Sequence, residues 1–248
     1  MEPQLFQGLD GHHQLPDDQR VYAIGDVHGR LDLLLKLLEM VNKDIASHPN
    51  SQSNVVFLGD YIDRGPDPAG VIDHLIDLSI PQTNCVFLMG NHERYMLDIA
   101  KGTAPIEMWF RNGGKQTAKS YGIDVGSSDI PRDLNQFRQT PQETVPNCHW
   151  QFLNGLRTSW RLGSIFFAHA GVNPARSIDQ QTEQDLIWIR EKFLYSERDH
   201  GALIVHGHSP RPEPEVLRNR INVDTLAYQS DHLTAVVLEN GYCRFLTT

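Results

Sequence analysis

Five short apolar runs each end in residues that bind metals, and this recurrence constrains the fold more than any other feature. They are Val21–Ile24 before Gly25-Asp26-Val27-His28, Val55–Leu58 before Gly59-Asp60, Val86–Met89 before Gly90-Asn91-His92, Ile165–Ala168 before His169, and Leu203–Val205 before His206-Gly207-His208. Short runs rich in Val, Ile and Phe are expected as buried strands. Ligands bind at the carboxyl ends of strands in open α/β sheets. Asp, Asn and His gathered at such ends supply the oxygen and nitrogen donors that a pair of divalent cations needs.

Asp26 and Asp60 are 34 positions apart, and Asp60 and Asn91 are 31 apart. That is the length of a βαβ unit. Leu31, Leu34, Leu35, Leu38 and Val41 recur at helical spacing, with Lys36, Glu39 and Lys43 mostly off their face, and predict a helix after the first strand. Pro66 and Pro68 open a second, buried through Val71, Ile72, Leu75 and Ile76. From residue 100 to 161 the pattern loosens around Gly102, Asn112-Gly113-Gly114, Gly122, Gly126 and Pro131. Trp109, Phe110, Phe137, Trp150 and Phe152 give this stretch apolar weight, and it is expected as a helical insertion that shapes access to the site. The last third predicts strands at 165–170, 202–206, 221–224, 233–239 and 242–247, with Asn240-Gly241 as a hairpin turn. The expectation is one α/β domain over 20–248, built of two sheets flanked by helices. A polar tail, 1–19, precedes it and holds Asp10, His12, His13, Asp17 and Asp18 as solvated residues.

Composition narrows the partners. The chain has 248 residues, 40% of them hydrophobic, so one sizeable core is within reach. A net charge of −9 argues against nucleic acid and against an anionic membrane. It does not argue against a phosphorylated substrate, because cations can supply local positive charge. Cys85, Cys148 and Cys243 form neither a disulfide framework nor a zinc spacing, which points to a reducing compartment. With no signal segment and no run near the ~18 apolar residues of a membrane span, the expected location is the cytoplasm.

Residues i and i+2 of an extended chain point the same way, so Asp26 and His28 are expected to chelate one ion. Asp60 is placed to bridge, and Asn91, His169 and His208 to complete a second ion. Two divalent ions held about 3.5–4 Å apart share a water and lower its pKa toward neutrality. The product is a hydroxide nucleophile beside a Lewis-acid clamp. His206 lies on the strand itself and reads as a packed residue; Asp224 either supports a ligand histidine or ends a strand. His48, His74, His149, His200 and His232 fall outside every block and read as surface or filler.

Gly25-Asp26-Val27-His28-Gly29, Gly59-Asp60-Tyr61-Ile62-Asp63-Arg64-Gly65 and Gly90-Asn91-His92-Glu93 resemble the three signature blocks of the phosphoprotein phosphatase family, within the calcineurin-like metallophosphoesterases. The likeness continues through His169-Ala170-Gly171, Gly207-His208-Ser209-Pro210 and Asn222-Val223-Asp224-Thr225, and covers about Val21 to Leu238. Trp109-Phe110-Arg111-Asn112-Gly113-Gly114 and Trp188-Ile189-Arg190 place it nearest the bacterial and phage branch typified by lambda phosphatase. The resemblance implies the calcineurin-like fold: two mixed sheets packed as a sandwich between helices, with metals at the strand C-terminal ends. It implies Asp26, His28 and Asp60 at a first metal, and Asp60, Asn91, His169 and His208 at a second. It implies His92 as the general acid oriented by Asp63, with Arg64, Arg190 and Asn91 on the phosphate. Mn²⁺ is the expected ion, with Fe or Zn as alternatives.

The expected activity is hydrolysis of phosphoproteins or phosphopeptides at Ser or Thr, extending to Tyr and to small phosphate esters. The alternative is a symmetrical bis(5'-nucleosyl)-tetraphosphatase. That sister family usually departs from Asp-Arg-Gly after the second block and carries Asp after Gly-Asn-His, whereas this chain has Asp63-Arg64-Gly65 and Glu93. Relatives often carry Gly after the Asp-Thr pair, where this chain has Leu226, and this leaves the turn there open.

Overall fold

All five apolar runs form strands, and their ends converge. The computed structural model describes residues 4–5, 14–123, 125 and 144–248. Asp10, His12, His13, Gly126, Pro131 and Phe137 lie outside the described residues.

The first sheet has the order β1-β11-β10-β2-β3-β4. Its strands are β1 (Gln4–Leu5), β2 (Gln19–Ile24), β3 (Gln52–Phe57), β4 (Thr83–Phe87), β10 (Thr234–Glu239) and β11 (Tyr242–Thr247). Strands β2, β3 and β4 run parallel, whereas β10 and β11 form an antiparallel hairpin beside them. Asn240 and Gly241 at its tip both have positive φ, as the hairpin signal requires. Within the span expected as a solvated tail, β1 pairs with the free edge of β11.

The second sheet has the order β5-β6-β7-β9-β8. Its strands are β5 (Ser159–Leu162), β6 (Ile165–Ala168), β7 (Leu203–His206), β8 (Glu215–Val216) and β9 (Arg220–Asn222). Here β6, β7 and β9 are the parallel core, with β5 and β8 antiparallel at the edges. The residues expected at the end of the helical insertion therefore include a strand: Ser159 to Arg161 lie in β5.

Period-2 alternation divides the buried residues between two layers. Val21 and Ala23 of β2 meet Ile165 and Phe167 of β6 and Leu203 and Val205 of β7 between the sheets. Tyr22 and Ile24 point the other way, into the core under the helices. Helix α1 (Leu31–Ala46) covers that face with Leu33, Leu34, Leu37, Leu38 and Val41. Leu35, expected inside, is 45% exposed. The sheet seats the 33/37/41 row beside 34/38, which turns Leu35 outward. Helix α2 (Pro68–Ile76) begins with Pro68 after Asp67, whose side chain accepts the Gly70 N–H.

Helix α3 (Asn91–Ala100) follows β4 directly. Beyond it come α4 (Ile106–Trp109), a π turn (Phe110–Gly114) and α5 (Lys115–Ser120), then α6 (Asn147–Asn154). Between β6 and β7 lies α7 (Glu183–Trp188), opened by Thr182, whose side chain accepts the Asp185 N–H. His149, expected at the surface, is 1% exposed. It joins Tyr121 on one ring nitrogen to Asp73 on the other, each at 2.8 Å, and so ties α6 to α5 and α2.

Candidate metal centre

The C-terminal ends of the six parallel strands meet at one rim, and each carries its polar residues there. Asp26 and His28 lie just past β2, Asp60 past β3, Asn91 and His92 past β4, His169 past β6, His208 past β7 and Asp224 past β9. All of them are buried.

The turn after β2 is not extended. His28 has φ 45°, so alternation does not explain its pairing with Asp26. The β3 turn sets it instead: the Val27 and His28 N–H groups both donate to the Asp60 carbonyl, at 3.1 and 2.8 Å.

Two triads of donor atoms form around Asp60. One is His28, Asp60 and His92; the other is Asp60, His169 and His208; in each the ligand atoms lie within 4.8 Å of one another. His28 Nδ1 donates to the Ile62 carbonyl at 2.8 Å, and His169 Nδ1 donates to the Leu58 carbonyl at 3.0 Å. Both rings thereby turn Nε2 toward the centre. His169 Nε2 is 3.0 Å from Asn91 Oδ1, 3.2 Å from His208 Nδ1 and 3.4 Å from Asp60 Oδ1. Asp26 joins from the side, both oxygens accepting the His208 N–H at 3.1 Å.

This donor set fits divalent cations. Oxygen and imidazole nitrogen, His208 Nδ1 among them, converge with few protein cations to balance them. The electrostatics of the rim carry the same deficit. Burial, with Asp224 close by, raises the Asp26 carboxyl well above its ordinary range. Burial would lower His169, but Asp60 and Asp26 push it up to about 9. A proton is thus drawn to the point where lone pairs crowd. His28 offers Nε2 only once Arg64, whose guanidinium donates to it at 3.1 Å, releases it.

The His92 side is arranged differently. Its Nδ1 sits 2.6 Å from Asp63 Oδ2, and Nε2 faces Asp60 Oδ2 at 3.8 Å. Burial opposes its charge, but Asp60 and then Asp63 outweigh this and raise its pKa.

A family model described as calcineurin-like phosphoesterase matches residues 19–238. The chain belongs to the calcineurin-like phosphoesterases. It is a metal-dependent phosphoester hydrolase of the bacterial branch that resembles the phosphoprotein phosphatases.

The asymmetrical bis(5'-nucleosyl)-tetraphosphatase PrpE of Anoxybacillus flavithermus is 27% identical, over 86% of this chain and 88% of that protein. Serine/threonine-protein phosphatase 1 of Salmonella typhimurium is 26% identical, over 87% of this chain and 90% of that protein. The cold-active protein-tyrosine phosphatase of a psychrophilic Shewanella shares the fold, with a TM-score of 0.61 at 17% identity, over 94% of this chain and 83% of that one.

Arg64 is half-buried and its guanidinium lies 4.9 Å from the centre of the Tyr228 ring. Arg190 is exposed at the start of helix α8 (Glu191–Leu194), and after burial and His169 its charge helps to depress His208. His206 is buried against Phe193, as a packed residue, with burial pushing it down to about 3. Asp224 accepts the Leu226 N–H at 2.9 Å rather than supporting a histidine. Leu226 itself adopts the left-handed conformation, φ 60° and ψ 44°, that glycine takes without strain.

Two contributors carry no sequence signal of their own, and the structural part played by a third is not signalled either. Tyr228, on helix α9 (Ala227–Ser230), packs edge-on to His28 at 5.3 Å. Thr117 bonds Asp63 from α5. Glu93 appears in the sequence only as the last letter of a block, yet its buried carboxylate accepts four N–H groups. Asp60, Tyr61 and Ile62 donate at 2.8, 2.8 and 3.2 Å, and Gly90 donates at 3.0 Å.

Proposed function

We propose that this phosphoesterase hydrolyses phosphomonoesters of phosphoproteins. The supporting observation is the Asp63–His92 pair, whose free imidazole nitrogen faces the same aspartate that both triads share. An alkoxide leaves poorly unless it is protonated, and an imidazolium held by a carboxylate is an apt donor near neutral pH. Asp63 keeps Nδ1 engaged, so the proton available for transfer is on Nε2. As a water oxygen bonds to phosphorus, the ester P–O bond breaks and His92 Nε2 gives its proton to the departing oxygen.

His28, Asp60 and Asp26 would hold one divalent cation, and Asp60, Asn91, His169 and His208 the other, with Mn²⁺ the preferred ion. When bound, the cations supply Lewis-acid stabilisation and a water of lowered pKa. Arg64, released from His28, and Arg190 would grip the phosphoryl oxygens, Arg64 steadied by the Tyr228 face. Residues 20–248 serve as one catalytic domain, with the segment after α3 bordering the site.

His92→Asn tests the acid role. Turnover of alkyl phosphates should fall about 10²–10⁴-fold, the usual worth of general acid catalysis, and that of aryl phosphates far less. Equal losses would reject the assignment.

A second reading, hydrolysis of dinucleoside tetraphosphates, is supported by the relatives of that name. Its asymmetrical form has the stronger support. The symmetrical enzyme of Coxiella burnetii aligns with only 35% of this chain, against 86% for the asymmetrical one. Incubation with a phosphopeptide panel and with diadenosine tetraphosphate decides: faster release of phosphate from peptides supports the first reading. Formation of AMP and ATP at a higher kcat/KM supports the second.

A further inference from the structure

We propose that α4, the π turn and α5 form a clamp that sets the Asp63–His92 pair, with Trp109 and Thr117 as positioning residues. The inference rests on the reading of His92 as proton donor.

Asp63 is fully buried, and it and Arg64 both have positive φ, 69° and 68°. Neither residue is glycine, so this turn is costly and needs outside support. The support comes from the segment after α3. The Trp109 indole N–H donates to both Asp63 oxygens, at 3.0 and 2.8 Å. The Thr117 hydroxyl donates to Asp63 Oδ1 at 2.5 Å and accepts the Asp63 N–H at 2.9 Å. The next residue is held too, its N–H donating to the Gly113 carbonyl at 3.1 Å.

The glycine pair lets the segment approach so closely. Gly113 has φ 103°, and a Cβ there would fall 2.6 Å from Arg64 Cγ; one on Gly114 would fall 2.3 Å from the Trp109 ring. The left-handed kink at Gly113 places these contacts together: it brings the Gly113 carbonyl onto Arg64 while Trp109 and Thr117, on either side of the kink, flank Asp63.

The consequence is directional. Trp109 and Thr117 occupy the remaining lone pairs of Asp63, leaving Oδ2 aimed at His92 Nδ1. Without them the carboxylate could rotate, and Nε2 would lose its aim at the leaving oxygen. A clamp of this kind matters only where the leaving group needs a proton.

The test compares Thr117→Val, Thr117→Ser, Trp109→Phe and His92→Asn in the metal-loaded full chain, on matched alkyl and aryl phosphates. Thr117→Val and Trp109→Phe should lower kcat on alkyl phosphates about 10–100-fold, the usual cost of losing a supporting bond, and at least about tenfold more than on aryl phosphates. KM should stay nearly constant, and Thr117→Ser should recover most of the loss. In the metal-free protein, the downfield Nδ1 proton resonance that His92→Asn removes should broaden or shift in Thr117→Val. Equal losses on both substrate classes, or an unmoved resonance, overturn the clamp while His92→Asn still splits the classes. If His92→Asn shows no split, the donor reading fails and the clamp's purpose falls with it.

Discussion

Strand β2 carries a polar cluster at each end, half-buried at its start and buried past its finish, and the two are balanced in different ways. At its start, Arg20 and Tyr22 meet Asp44, Glu239 and Arg244. Asp44 takes the Tyr22 hydroxyl at 2.6 Å, Arg244 at 2.5 Å and Arg20 at 3.3 Å, while Glu239 takes Arg20 and Ser51. Burial opposes both charges, but these donors outweigh it and hold both carboxyls below their ordinary values. Two acids face two guanidinium groups, so the charges pair within the protein, although buried Arg20 Nε has no hydrogen-bond partner among the described residues. Past the other end, Asp26 is pushed upward instead, and His169 captures a proton. Backbone differs as well. His28, Asp60, Asp63, Arg64 and His208 all have positive φ, whereas none of the five residues of the first cluster does. A cluster whose charges pair internally is structural; one that is strained and short of positive charge is built for a ligand.

The sharpest way to break this contrast is to neutralise one acid in each cluster. Asp60→Asn should reduce turnover by more than about 10³-fold, beyond the cost of one lost electrostatic donor, because both triads share it. Asp44→Asn should leave turnover within about twofold, yet lower stability by about 2 kcal/mol in denaturant titration. Comparable loss of activity in both variants would erase the distinction.

The two ends should also respond to pH in separate windows. Asp44 and Glu239 have depressed folded-state values, so their stabilisation is present above the ordinary 3.8 and 4.5 and is lost as pH falls further. His169 is raised from 6.5 to about 9, so in metal-free protein its stabilisation is complete below 6.5 and is lost as pH rises through 9. A cation must displace that proton. The gain in melting temperature on adding Mn²⁺ after chelation should therefore grow between pH 6.5 and 9, with apparent affinity rising about tenfold per unit. A flat gain over that range would count against cation binding at His169.

The smallest effect concerns strain. Leu226→Gly relieves a left-handed leucine worth about 1–2 kcal/mol and costs about 0.5–1 kcal/mol in chain entropy, so stability should rise by about 0.5 kcal/mol. A clear fall in melting temperature would mean that the Leu226 side chain supports the rim through packing.

The strands and the rim are legible in the sequence because they obey one rule. Strands buried on both faces read as unbroken apolar runs, and the polar residues just past their ends carry the chemistry. Edge strands escape for the converse reason: β5 and β8 are short and mix polar with apolar residues, so nothing separates them from loops. Leu35 is misplaced by periodicity because helical spacing defines a stripe but not which flank of it the sheet covers. Thr117, Trp109 and Tyr228 reach the site across tertiary contacts from helices with no fixed offset to Asp63 or His28. Local pattern cannot report such approaches.

Glu93 holds the β3 turn and the β4 turn with one carboxylate, and this narrows what the position can tolerate. Glutamine would keep a single oxygen and present an NH₂ to N–H groups that have nothing to accept, while aspartate, which the sister family usually carries after Gly-Asn-His, is a methylene shorter and needs the two turns to lie closer together. The residue at this position therefore sets the spacing of the turns that carry Asp60 and Asn91.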